Sequence, residues 1–177
     1  MPTSFDLPGH AHELTFSCYQ SYPLLDSDQT RCWLADAFNR VRVSHDVAIG
    51  GYVFMPEHVH LIVRPRKPSY DMGEIRKAIK HPVSRTALGW LDHNAPDFVP
   101  KLTRRPGRKT ERLFWQSGGG YDRIIDNRDT LQRMIEYIHH NPVRRGLVKQ
   151  ATDWQWSSAR WYLLGEVGPV TVDPIDW

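Results

Sequence analysis

Apolar and polar positions alternate from His12 to Tyr19 (His-Glu-Leu-Thr-Phe-Ser-Cys-Tyr), and this period of two predicts a half-buried strand. The period then changes. Trp33, Leu34, Ala37, Phe38 and Val41 recur at helical spacing behind Asp26 or Asp28 as cap, which predicts an amphipathic helix. Val47 to Phe54 form a second predicted strand, interrupted by Gly50-Gly51. A Met55-Pro56-Glu57 turn leads straight into a third, His58 to Val63, closed by Pro65. Tyr70 to Trp90 carry a second helical pattern, which Pro82 should break or kink. Leu113 to Trp115 and Tyr121 to Ile125 read as extended, on either side of Gly118-Gly119-Gly120. Asn127 or Asp129 caps a third helix through His140, stopped by Asn141-Pro142. Strand, helix, strand, strand, helix, strand is the order of an α+β ferredoxin-like sandwich. Two helices cover one face of an antiparallel sheet, and the other face or its edge is left for a substrate and the third helix.

The 177 residues suit a single domain over 1–177, with a C-terminal tail from about residue 150. With 40% apolar residues and 13 scattered prolines, the composition is that of an ordinary globular protein. No apolar run approaches the length of a membrane span, and Met1 to His12 lack the pattern of a secretion signal. The two cysteines, Cys18 and Cys32, have no paired spacing, which fits a reducing, cytoplasmic setting without disulfides or a thiolate metal site. The net charge of +3 matters less than its placement. Lys101, Arg104, Arg105, Arg108, Lys109 and Arg112 face the single acid Glu111, so this segment alone carries +5. With Pro100, Pro106 and Gly107 inside it, the segment at about 100–112 reads as a loop, either merely solvated or tracking phosphates.

His58-Val59-His60 carries the first candidate chemistry. Residues two apart in a strand project to one face, so the two imidazoles lie close enough to share a metal ion. An isolated His-x-His is more often a pair of unrelated surface histidines, but Leu61, Ile62 and Val63 place this one on a core-forming strand. The second feature runs from Glu136 to Val148. Tyr137 and Asn141, four residues apart, share a face near the end of the third helix. The Asn141 amide oxygen suits the third place in a His-His-amide metal site, with the Tyr137 phenol beside it. The plainer alternative makes Tyr137 a packing residue and Asn141 a helix stop before proline.

Together these features resemble the HUH single-tyrosine transposases, and most closely their REP-associated tyrosine transposase subgroup. The resemblance rests on Gly51-Tyr52-Val53-Phe54-Met55-Pro56-Glu57-His58-Val59-His60 and on Tyr137-Ile138-His139-His140-Asn141-Pro142-Val143-Arg144-Arg145-Gly146-Leu147-Val148. Phe114-Trp115-Gln116, Tyr121-Asp122-Arg123, Trp154-Gln155-Trp156-Ser157-Ser158 and Pro174-Ile175-Asp176-Trp177 match more weakly, in the right order. The resemblance implies that His58 and His60 are metal ligands, that Tyr137 is the nucleophile, and that Asn141 is the third ligand. It also implies that the enzyme stays joined to a 5′ phosphate and releases a 3′ hydroxyl. The basic segment departs from the shorter connection expected in the subgroup.

The residue types suit that chemistry. Two imidazoles and an amide are neutral, so a divalent ion between them keeps its full charge for a phosphate oxygen. Histidines favour Mn²⁺ over Mg²⁺, while the resemblance implies that Mg²⁺ also serves. A phenol ordinarily titrates near 10, so an attacking tyrosine gives up its proton on attack. The phosphotyrosine it forms keeps the bond energy for rejoining. Arg64, Arg66 and Lys67 follow the histidine strand, and Arg144, Arg145 and Lys149 follow the tyrosine helix, so both groups are expected to rim one DNA site. Arg104, Arg105, Gln116 and Arg123 complete the expected DNA contacts, and one or two of Trp154, Trp156, Trp161 and Trp177 are candidates to stack bases. The expected partner is single-stranded DNA with hairpin structure, bound by a monomer or homodimer at the nucleoid. Two other readings stay open: a catalytically silent DNA-binding or regulatory domain, and a small metal-dependent hydrolase using water. In neither would a covalent protein–DNA adduct depend on Tyr137.

Overall fold

A computed structural model of the chain describes residues 6–175. Strands β1 (Ala11–Ser17), β2 (Val47–Phe54), β3 (His58–Pro65) and β6 (Tyr121–Ile125) form one sheet in the order β2-β3-β1-β6, with every pairing antiparallel. Helices α1 (Asp28–Ser44) and α2 (Met72–Asn94) are the crossovers. They pack on one face, where Phe16, Phe38, Phe54, Leu61, Ile75 and Ile79 belong to the larger core. Helix α3 (Arg128–His139) lies on the opposite face, where Leu131, Ile135 and Ile138 meet Ala11, Val53, Ile62 and Ile125. This is the expected ferredoxin-like order with the tyrosine helix added.

Local chemistry departs from expectation in several places. Ser27, not an aspartate, caps α1 by accepting a hydrogen bond from the Thr30 amide. Asp28 instead accepts from the indole of Trp156. Helix α2 runs through Pro82 without ending. An interior proline costs about 3 kcal/mol, whereas each fully buried aliphatic side chain contributes roughly 1.5–3 kcal/mol. Ile75, Ile79, Val83 and Ala87 on the buried stripe therefore outweigh the lost hydrogen bond. The basic segment is a hairpin, with β4 (Thr103–Arg104) paired to β5 (Glu111–Arg112). Leu113 to Trp115 make only an isolated bridge, Cys18 to Trp115, in place of the expected strand. Asn127 caps α3 as expected, but the chain continues past Asn141-Pro142 into the short helix α4 (Asn141–Arg144). Proline lacks only an N–H, and in the first turn of a helix that donor has no partner to lose.

The tail is stitched along the free edge of β2. The Phe54 amide donates to the Trp156 carbonyl and the Ser158 amide to the Tyr52 carbonyl, before helix α5 (Ala159–Leu164). Two glycines make room for these layers. A Cβ on Gly50 would lie 2.2 Å from Ile175 Cδ1, and one on Gly51 would touch Ile138 of α3 at 3.4 Å. Trp154 and Trp156 enclose the Arg31 guanidinium, 5.1 and 5.8 Å from their ring centres, so these indoles serve packing. Asp176 and Trp177 lie outside the described residues. Among the described residues no helix is long and apolar enough to cross a membrane.

Candidate active site

Alternation along β1 and β3 puts Glu13, Thr15, His58 and His60 on the α3 face of the sheet. The His58 and His60 rings stand edge to face with centroids 5.0 Å apart. Across the gap, the Tyr137 ring from α3 meets His60 edge-on, at 5.9 Å and 90°. Tyr137 is 44% exposed, so its phenol faces solvent and is not a core group. Asn141 follows one turn later and is buried, its Nδ2 donating to the Tyr137 carbonyl at 3.2 Å. Arg144 lies 4.2 Å over the Tyr137 ring and donates to Asn141 Oδ1 at 3.0 Å. Arg145 reaches back to the turn before β3 and donates to Glu57 at 2.6 Å. Contacts on both sides of Asn141 therefore join its segment to the two histidines.

The histidines are held from behind. Glu57 Oε1 lies 3.1 Å from His58 Nδ1, and Glu13 Oε1 lies 2.8 Å from His60 Nδ1. Both Nε2 atoms are without a hydrogen bond among the described residues. Burial pushes the His58 imidazole below its ordinary value, and the charge of His60 adds to this against the pull of Glu57. Burial works to raise the Glu57 carboxyl, but the Arg145 hydrogen bond and the neighbouring positive charges outweigh it and hold it low. Neutral imidazoles with one free nitrogen each are the form that binds a metal ion. No group of three or more His, Cys, Asp or Glu side chains suited to a metal is present among the described residues. A third donor from this chain would have to be of another type, and the Asn141 amide oxygen, which accepts from Arg144, keeps a second lone pair for such a role. The donor set fits a divalent cation.

Beside the pair opens a cleft of about 610 Å³, lined by Glu13, Thr15 and His60, by Tyr121 and Arg123 of β6, and by Arg133 and Tyr137 of α3. Arg123 was expected; Glu13, Thr15, Tyr121 and Arg133 were not. Gln116 sits at this end too, its amide bonded to the Ser17 carbonyl, and Ser17 pairs with His58. Lys149 is exposed, beyond α4. The two basic groups do not share one rim. Arg66 is six residues from His60 along β3, on the order of 20 Å at strand rise, and it pairs with Asp46 and Asp173. Arg64 donates to the Gly9 carbonyl, and Lys67 is exposed beyond the same strand end. Arg104 pairs with Glu111 inside the hairpin, while Arg105 is exposed at its tip.

His139, two residues after the nucleophile candidate in sequence, faces away from it. Its Nε2 lies 2.7 Å from Ser158 Oγ, which is itself bonded to both the amide and the carbonyl of Tyr52. Burial, with the nearby charge of His140, lowers its pKa from 6.5 to about 4. The unfolded chain therefore takes up a proton on acidification that the folded one refuses, and stability falls as pH drops from about 6.5 towards about 4. Between pH 7 and pH 5 this amounts to about 2 kcal/mol. Urea unfolding of His139→Gln is expected to show a smaller loss over that interval than the wild type, and equal losses would contradict the assignment.

No family model matches the chain. A Haemophilus influenzae protein named as a REP-associated tyrosine transposase is 24% identical over 159 residues, 84% of this chain and 83% of that protein. The REP-associated tyrosine transposase of Escherichia coli is 25% identical over 127 residues, 71% of this chain and 62% of the relative. Among solved structures, a REP-associated tyrosine transposase bound to a REP hairpin superposes with a TM-score of 0.71 at 20% identity, covering 99% of this chain and 93% of the other. The chain is thus similar to REP-associated tyrosine transposases in sequence over most of its length, and to one of them in fold over nearly all of it.

Proposed function

We propose that the protein cuts and rejoins single-stranded DNA at hairpin-bearing repeats, through a 5′-phosphotyrosine formed on Tyr137. The observation that carries this is the half-exposed Tyr137 ring set edge-on to His60, in a cleft with two arginines. His58 and His60 would hold one Mg²⁺ or Mn²⁺ through Nε2, with Asn141 Oδ1 as third donor. When bound, that cation supplies positive charge to the non-bridging phosphate oxygens. Tyr137 Oη attacks phosphorus, a Tyr–O–P bond forms, the bond to the 3′ oxygen breaks, and the phenol proton is lost to solvent as the 3′ oxygen gains one. Arg144, stacked on the nucleophile's ring, fixes its plane and keeps a positive charge where the phosphate must arrive. The reverse attack by a 3′ hydroxyl rejoins the strand.

The cleft arginines Arg123 and Arg133, with Arg144, Arg145, Lys149 and Gln116 near the same end, are the proposed DNA contacts. Arg64, Arg66, Lys67, Arg104 and Arg105 would touch only the outlying parts of a hairpin. The solved relative in complex with a REP hairpin supports a ligand of that shape. The Tyr137 ring meets His60 of its own chain, the arrangement that cleavage in cis would use, by a monomer or within a homodimer. Such a substrate would put the protein in the cytoplasm, at the nucleoid.

The decisive experiment incubates the protein with labelled single-stranded oligonucleotides bearing hairpins, with Mn²⁺ or Mg²⁺, and separates the products on a denaturing gel. A protein–DNA adduct joined through the 5′ phosphate is expected; free 5′-phosphate ends without an adduct would indicate hydrolysis by water instead. Binding is expected to weaken with salt along a log–log slope of roughly −4, for about six phosphates neutralised on a single strand. A slope near zero in a titration from 50 to 300 mM salt would count against DNA.

A further inference from the structure

We propose that Glu13 and Glu57 are positioning residues for the cation site, each turning one histidine so that Nε2 faces the ion. The inference rests on the metal reading given above and adds two residues to it. Each carboxylate meets the Nδ1 of one imidazole, Glu13 that of His60 at 2.8 Å and Glu57 that of His58 at 3.1 Å. A carboxylate accepting at Nδ1 places the neutral ring's proton there and leaves the Nε2 lone pair for a metal. A ring held on one side by a fixed acceptor also loses the freedom to flip.

The two carboxylates do this by different means. Glu13 is only 2% exposed, on the strand next to β3, and Thr15 Oγ1 donates to it at 2.7 Å while lying 2.8 Å from His60 Nδ1. Among the described residues His60 is the one basic side chain that Glu13 meets. A carboxylate this deeply buried is costly unless a positive charge compensates it. A dication on the far side of the His60 ring supplies that charge, so the cluster is built for an ion that Glu13 does not itself touch. Glu57 is already balanced by Arg145 at 2.6 Å. Its role is linkage, because Arg145 belongs to the segment that carries Tyr137 and Asn141. Moving that segment would move the carboxylate behind His58, so the ligand ring and the nucleophile are kept in one frame.

The test uses the full chain and Mn²⁺ alone, with free Mn²⁺ followed by its electron paramagnetic resonance signal. Glu13→Gln and Glu57→Gln keep size and shape and remove the charge. Each is expected to weaken Mn²⁺ binding by about tenfold or more, the usual effect of losing an outer partner. The far-ultraviolet circular dichroism spectrum and the urea midpoint, both recorded in EDTA, are expected to stay close to those of the wild type, showing that the fold survives. Should buried Glu13→Gln fail to fold, the partly exposed Glu57→Gln still decides for its own histidine, and Thr15→Val tests the Glu13 side by removing only the hydroxyl that braces it. Folded variants that bind Mn²⁺ as tightly as the wild type would overturn the inference while leaving the metal site standing. A folded wild type that takes up no Mn²⁺ would overturn the metal site, and this inference with it.

Discussion

Tyr137→Phe is expected to abolish the covalent adduct and to lower strand cleavage by at least about a thousandfold, because a benzene ring of the same shape has no oxygen to attack phosphorus. The ring's other contacts survive the change. Its edge-on meeting with His60 and its stacking under Arg144 need only the aromatic face, so hairpin binding and Mn²⁺ affinity should stay within about twofold of wild type. This separation distinguishes a nucleophile from a packing residue, whose loss would show first in stability. Cleavage that persists in Tyr137→Phe, measured as release of 3′-hydroxyl product over time, would mean that water or another side chain attacks.

The second large effect is expected at His60. Its replacement by alanine removes a donor and leaves Glu13 buried without the imidazole that it meets. Mn²⁺ affinity should fall by about a hundredfold or more, since losing an inner donor ought to exceed the roughly 10- to 100-fold effect of losing an outer one. Cleavage should fall with it, and excess Mn²⁺ should restore only part. His58→Ala is expected to resemble it in metal binding, with a milder effect on stability, because Glu57 keeps Arg145 as a partner. Calorimetric Mn²⁺ titration of both variants checks this; unchanged affinity in either would remove that histidine from the site.

Much of this arrangement was legible in the residue pattern, for identifiable reasons. The His58–His60 pair and the Tyr137–Asn141 spacing are local, fixed by strand and helix periods alone. The order of strands and helices was equally readable. Glu13 was hidden because strand alternation assigns Glu13, Thr15 and Ser17 to one polar face, and nothing local tells a solvent face from one roofed by a helix. Only the pairing of Thr15 with His60 reveals the difference. Arg66 failed the other way. It stands near the histidines in sequence, but a strand is extended, so six residues carry it to the far end of the sheet, among Asp46 and Asp173. Pro82 and Pro142 suggested endings that burial, in one case, and helix-start geometry, in the other, do not require.

The bonding of His139 to Ser158 and β2 bears on how the proposed strand exchange would proceed. It nails the far side of α3 to the sheet within two residues of the tyrosine, and Ile138 is wedged against Gly51 beside it. A helix fastened there holds its phenol in place beside His60. If strands are exchanged as proposed, the traveller is then the nucleic acid: one 3′ end would depart and another would come to a phosphate parked at a stationary post.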